Sequence, residues 1–318
     1  MRVSLVIRTL NEARHLGELL DAVRRQTTDF DVETVIVDSG STDETLKIAD
    51  QFGCRVVHIA KRDFTFGRSL NLGCAAATGN ILVFVSGHCV PCDTDWLARL
   101  IEPLRSGHAV YAYGRQFGDD STRFSEHQVF SKYYPPVSQV PQEGFFCNNA
   151  NAALLRSAWE QRSFDEQLTG LEDMKLAKDL VAGGEKVAYV AEAGVFHIHD
   201  ESWRQVRVRY EREALALREI MPELHVGFGD FVRYFVSGVL HDCGVALEKR
   251  FLSRYCSEIV LFRLMQFWGT YQGNKDHRQV SARQREEYFY PRPGRTETGG
   301  RRHSGAAAAE SAQRTHSR

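Results

Sequence analysis

Four short strand-like runs constrain this chain more than any other feature: Val3–Ile7, Thr34–Val37, Cys54–Ile59 and Ile81–Val85. Each is too short for a buried helix and is bounded by polar residues, the pattern of a buried strand. The segments between them read as helices. Ala13 to Gln26 carries Leu16, Leu19, Leu20 and Val23 on one face, Asp43 to Phe52 follows Ser41 or Thr42 as N-cap, and Phe66 to Ala77 closes on Thr78-Gly79. Strands alternating with helices require right-handed crossovers and a mostly parallel sheet. Sheets of this kind bind ligands at the carboxyl ends of their strands. Here those ends are polar: Thr9-Leu10-Asn11-Glu12, Asp38-Ser39-Gly40 and Ser86-Gly87-His88. The first turn, RTLNEAR, has no glycine, which argues against a dinucleotide-binding G-x-G-x-x-G loop and so against an NAD-dependent enzyme. There is no P-loop pattern either. Polar side chains at successive strand ends suggest recognition of a base and ribose instead.

Composition narrows the class. A length of 318 residues allows one large domain with an appendage, and a formal net charge of -1 points to no nucleic-acid partner. The seven cysteines are odd in number and scattered; Cys89-x-x-Cys92 lacks a second pair at zinc spacing and reads as a reduced structural pair. That usage, with no leader-like or membrane-spanning apolar run, leads us to expect a cytoplasmic protein, with the inner face of the membrane as an alternative site. Residues 226–290 change character to two long helical runs, the first weakened by two internal glycines. This helical appendage is a candidate to cover the active site, to form a homodimer, or to lie on a membrane surface as a peripheral anchor. Residues 291–318, rich in Gly, Arg, Ser and Ala, read as a disordered tail.

VSLVIRTLNEARHLGELLDAV, TVIVDSGSTDETLKIA and NLGCAAATGNILVFVSGH, followed by Gly144–Asn151, FDEQLTGLEDMKLAKDLVAGG and VFHIH, resemble family 2 glycosyltransferases of the GT-A fold. The segment Tyr113–Gln116 and the histidines lean toward the rhamnosyltransferase-like branch. The resemblance implies an α/β fold of GT-A type (Rossmann-like), with a mixed, mostly parallel sheet flanked by helices, spanning residues 1–225. It implies an inverting transferase that moves a sugar from a UDP-, dTDP- or GDP-linked donor to a saccharide or lipid-linked acceptor, in surface polysaccharide biosynthesis. A catalytically impaired nucleotide-sugar-binding protein is the alternative.

By that resemblance Thr9, Asn11 and Glu12 line the nucleoside pocket, Asp38 accepts from a base imide, and Ser39 supports the ribose. Arg68, Asn71 and Arg204 are candidates to contact the donor, the arginines at its diphosphate. Asp173 is the expected general base, and Glu172 positions a sugar hydroxyl. Asn148, Asn149 and Asn151 are candidate partners of sugar hydroxyls. Where the family carries Asp-x-Asp for a divalent cation, this chain has Ser86-Gly87-His88. Two readings follow. Either His88 and one histidine of VFHIH hold Mn²⁺ or Mg²⁺, or the site works without metal and protein cations offset the diphosphate. Strand alternation allows only one of His197 and His199 to reach a metal, and the resemblance favours His197.

Overall fold

The computed structural model describes residues 1–275 and 287–290. The chain opens as β1 (Arg2–Thr9), α1 (Leu16–Arg24), β2 (Asp31–Asp38), α2 (Thr45–Gln51), β3 (Arg55–His58), α3 (Phe66–Ala76) and β4 (Ile81–Ser86). It continues as β5 (Cys89–Pro91), α4 (Trp96–Arg105), β6 (Tyr111–Phe117), α5 (Phe124–Tyr133), β7 (Asn151–Leu155), α6 (Arg156–Gln161) and α7 (Glu172–Ala182). β8 (Val187–His197), α8 (Trp203–Ile220), α9 (Phe228–Glu248) and α10 (Leu252–Asn274) complete the described elements.

The strands form one sheet in the order β3-β2-β1-β4-β7-β6-β8-β5. β3, β2, β1 and β4 are parallel neighbours. β7 runs antiparallel to both β4 and β6, β8 parallel to β6, and the short β5 antiparallel to β8. The α/β sheet expected from the sequence is therefore formed, mixed and mostly parallel. Its strands bury both faces. Leu5, Ile7, Ile36 and Val83 face one cluster with Leu16, Trp96 and Leu100, while Val6, Val35, Val37 and Phe84 face another with Leu70, Phe164 and Leu176.

Two reversals of direction matter for function. β7 is antiparallel to β4 and β6 antiparallel to β7, so β6 and β8 run the same way as β1, β2 and β4. The carboxyl ends of β1, β2, β4 and β8 thus share one sheet edge. There Thr9 lies opposite Asp38, and Arg8 opposite Ser86.

Local differences from the sequence reading have local causes. α1 begins at Leu16, because the preceding loop turns at Asn11 (φ 57°) and His15 and Leu16 donate to the Glu12 carbonyl. α2 is capped by neither Ser41 nor Thr42. Ser41 Oγ is bound to Asp38, the Thr42 N–H donates to Asn11 Oδ1, and Asp43 accepts the Thr45 N–H instead. Cys89 and Cys92 are unpaired, like the other cysteines; burial raises both thiols, Cys92 to about 11. That leaves them protonated and poorly reactive.

α10 packs on α8. A side chain at Gly269 would bring its Cβ to 2.3 Å from the Arg207 carbonyl oxygen, so only glycine permits this approach. α9 is the first of the two expected helical runs and continues through Gly238 and Gly244; it is tied to α10 by the buried Asp242–Arg263 pair at 2.7 and 2.8 Å. Its outer face, with Phe228, Val232, Val236, Leu240 and Leu247, is exposed. No helix among the described residues is long and apolar enough to cross a membrane. The expected tail, 291–318, lies outside the described residues.

Candidate active site

The site starts from one strand pairing. After β4 the chain turns at Gly87 and β5 pairs with the end of β8, Cys89 opposite His197. His88 precedes Cys89, so this register sets its ring beside that of His197, with the two Nε2 atoms 3.2 Å apart. The His197 and His199 ring centroids are 4.1 Å apart. One ring nitrogen from each of His88, His197 and His199 lies within 4.8 Å of the others. Strand alternation was expected to exclude one of the VFHIH histidines. β8 ends at His197, so the alternation does not extend to His199, and both rings join His88.

A ring of acceptors fixes these imidazoles. His88 Nδ1 meets Glu12 Oε1 at 3.0 Å, His197 Nδ1 meets Gln116 Oε1 at 2.7 Å, and His199 Nδ1 meets Glu126 Oε1 at 2.7 Å. An Nδ1–H held by an acceptor leaves Nε2 bare in the neutral ring. Bare Nε2 atoms of His88 and His197 facing each other at 3.2 Å repel unless a proton or a cation lies between them. The proton's place is set by environment. Burial disfavours charge on His88, but Glu12 more than offsets it and the pKa lies above the ordinary histidine value. His197, buried and flanked by His199 and His88, is held well below it. A divalent cation can take the place of that shared proton, and three oriented imidazoles with polar partners behind them are a fitting donor set.

Gly87 makes the arrangement possible. A Cβ there would lie 2.9 Å from Glu12 Cγ, blocking the carboxylate from His88. Glu12 thus reaches the histidine corner. Glu126 is anchored in turn by Arg209, which also pairs with Glu201. Burial alone would raise the Glu126 carboxyl, but His199 and Arg209 bring it down to about 2. Gln116, Glu126 and Arg209 were not anticipated as supports. For Gln116 the only sequence signal was its place in the YGRQ segment.

The second half of the site is Glu172-Asp173 at the start of α7, entered through Leu171 in the left-handed region (φ 55°). Adjacent on the helix, the carboxylates diverge. Glu172 pairs with Arg8 at 3.2 Å, and Arg8 also lies over the Phe66 ring. Asp173 accepts the Asn149 and Met174 N–H groups, both at 2.8 Å. Burial and the neighbouring Glu172 push its carboxyl up to about 7, against those two N–H groups and Arg8. Arg8, absent from the sequence expectations, is felt by both His88 and Asp173.

Other expected residues are engaged by protein partners. Asp38 is buried and accepts from Thr9 Oγ1, the Gly40 and Ser41 N–H groups and Ser41 Oγ, which fills its lone pairs. It orders its own loop and has no capacity left for a base imide. Ser39, also buried, donates to the Thr9 carbonyl, and Asn11 ties the β1 loop to Thr42. Arg68 pairs with Glu166 at 2.8 Å, and the Asn71 amide is used by Phe164, Glu166 and Trp159. Both hold the segment before α7. Arg204 is paired with Glu287. Asn151 is fully buried, bonded to Trp96, Arg115 and Ala193, and pins β7. Asn149 is buried, with its carbonyl oxygen on the Tyr111 hydroxyl. Asn148 is the partly exposed member of the three; its oxygen accepts from Gln116 and Ala150.

The family model described as glycosyl transferase family 2 matches residues 4–162. The O-antigen chain rhamnosyltransferase RfbN of Salmonella typhimurium is 27% identical over 263 residues, covering 79% of this chain and 76% of that protein. The O-antigen chain rhamnosyltransferase WbaN of Salmonella anatum is 25% identical over 260 residues, covering 78% and 75%. Among solved structures, the mannosyltransferase PcManGT from Pyrobaculum calidifontis, in complex with GDP-Man and Mn²⁺, shares the fold. It has a TM-score of 0.54 at 18% identity, over 82% of this chain and 72% of that one.

If the three imidazoles act together, His199→Ala lowers the affinity of the full chain for Mn²⁺ and Glu12→Gln lowers it by about 10- to 100-fold. Calorimetric titration measures both. Unchanged affinity in His199→Ala would remove that ring from the ligand set.

Proposed function

The chain belongs to glycosyl transferase family 2, and on that premise we propose that it is an inverting transferase. It moves a sugar from a nucleoside-diphospho-sugar to a hydroxyl of a saccharide or lipid-linked saccharide, in the assembly of a surface polysaccharide. The O-antigen rhamnosyltransferases it resembles support this pathway class and a rhamnosyl-type donor.

The observation that carries the mechanism is a three-histidine corner and a carboxyl raised to about 7, both within the influence of Arg8. A general base works best with a pKa near the working pH, and Asp173 has it. In the proposed reaction the acceptor oxygen attacks the anomeric carbon while its proton passes to Asp173. The bond from that carbon to the diphosphate oxygen breaks, and the nucleoside diphosphate leaves with the electron pair. A single base on the acceptor side and in-line displacement give inversion. Arg8 holds Glu172 and keeps the second carboxylate from taking the proton. His88, His197 and His199 are the residues that would hold a divalent cation, which supplies charge for the leaving diphosphate. A donor set of three imidazoles suits Mn²⁺ and later first-row ions, and suits Mg²⁺ poorly. The intact Glu172-Asp173 pair favours an active enzyme over an impaired nucleotide-sugar-binding protein.

The acceptor also bears on where the chain works. The exposed apolar stripe of α9 ends near the exposed cations Lys249, Arg250 and Arg254. An apolar face with basic residues at its end suits the surface of an anionic bilayer carrying a lipid-linked acceptor. Co-sedimentation with anionic vesicles is expected for the wild type, reduced in Leu240→Asp. Dimer formation through the same stripe without lipid, seen by light scattering and lost in that variant, would instead make it a homodimer interface.

The chemistry is tested by Asp173→Asn. Transfer should fall at least about 100-fold while nucleotide binding, read by thermal shift, persists. Because the carboxyl is protonated below about 7, wild-type transfer should fall as the pH drops through that value. Substantial transfer by Asp173→Asn, or a rate flat from pH 6 to 8 (about one unit either side of that pKa), would rule out Asp173 as the base.

A further inference from the structure

The segment Tyr288-Phe289-Tyr290 returns to the catalytic unit at the loops that follow β2 and β3. It is docked there by both backbone and side chains. Phe289 is buried, its ring 5.7 Å from Phe64 and 5.4 Å from Phe66, in the same core cluster as Val35 and Val37. Arg212 donates to the Tyr288 carbonyl at 3.1 Å, the Tyr288 hydroxyl donates to Glu211, and Arg204 pairs with Glu287. The arginine expected at the diphosphate thus anchors this segment.

Tyr290 follows. One side of its ring meets Phe64 at 5.5 Å, tilted by 54°. Lys61 Nζ lies over the ring at 5.2 Å. Lys61 makes no ion pair among the described residues, and its stem reaches toward Gly40 in the loop after β2. The Tyr290 hydroxyl is buried and lies against Ser39, beside Asp38.

We propose that Tyr290 is a nucleoside-binding residue of the donor site, its ring the surface on which the base stacks and its hydroxyl a polar contact for the base or ribose. This rests on the nucleotide-sugar reading given above. Three observations lead to it. The Tyr290 hydroxyl, at the strand end beside Ser39 and Asp38, is placed to turn to a ligand group there. Lys61 Nζ lies over the ring, a weak cation–π contact that an incoming diphosphate would draw away. Asp38 has spent its lone pairs on its own loop, so recognition of the nucleoside at this strand end needs another residue, and Tyr290 is the aromatic side chain that lies there.

Calorimetric titration of the full chain with UDP, dTDP, GDP and inorganic pyrophosphate tests this. For whichever nucleoside diphosphate binds the wild type, Tyr290→Ala should weaken binding about tenfold, the loss of one base–aromatic stack. Tyr290→Phe should weaken it about threefold. Pyrophosphate, which has no base, should bind the wild type and both variants equally. Melting curves of the variants check that each is folded. Equal or tighter nucleotide binding by Tyr290→Ala overturns the proposal, as does an equal loss for pyrophosphate, which would mark a structural role. If no nucleoside diphosphate binds the wild type, the nucleotide-sugar reading itself fails.

Discussion

The short pairing of β5 with the end of β8 is the constraint on which the site depends. It is three residues long, yet it brings the turn after β4 against the last residue of β8. Two imidazoles then face each other with their outer nitrogens held by Glu12 and Gln116. Two lone pairs pointing at each other call for a proton or a cation between them. At a GT-A donor corner, positive charge is what a diphosphate needs. The replacement of Asp-x-Asp by Ser86-Gly87-His88 is thus compatible with the proposed corner, in which three rings would serve as ligands and Glu12 and Glu126 stand one layer out.

That outward move has an electrostatic logic. Carboxylates in contact with a cation would reduce the charge offered to the diphosphate. Placed behind imidazoles, they orient the rings and increase their basicity. Buried Glu126 is tolerable because His199 and Arg209 flank it. The opposite treatment is given to Asp173, which is buried beside Glu172 with Arg8 committed to the latter. One carboxyl is kept ionised and supports a ligand; the other is raised toward neutrality and suits proton transfer.

Much of the fold was legible in the sequence because it rests on local signals. The strand-like runs at 3–7, 34–37, 54–59 and 81–85 all fall within observed strands or their immediate ends, and the helix from Phe66 ends within a residue of its expected stop. The histidines were legible as a motif, though the ending of β8 at His197, which frees His199, was not. What escaped depends on long-range partners. Arg68 and Asn71 looked available until Glu166, 98 and 95 residues away, engaged both. Asp38 looked like a free acceptor because a sequence does not reveal that the next three residues fold back onto it. Glu126 carried no signal, since α5 has little apolar periodicity and the residue matters only through His199 and Arg209. Tyr290 is the last residue of the stretch read as a helical appendage, and nothing in its sequence context points to the loops after β2 and β3.

The central claim is that a rebuilt histidine corner holds the cation that meets the donor's diphosphate. Pulsed electron paramagnetic resonance of Mn²⁺ bound to the full chain, with whichever of UDP, dTDP or GDP binds it, tests this most directly. The account predicts couplings to imidazole nitrogens together with couplings to phosphorus. Mn²⁺ that shows phosphorus couplings but none to imidazole nitrogen would contradict it.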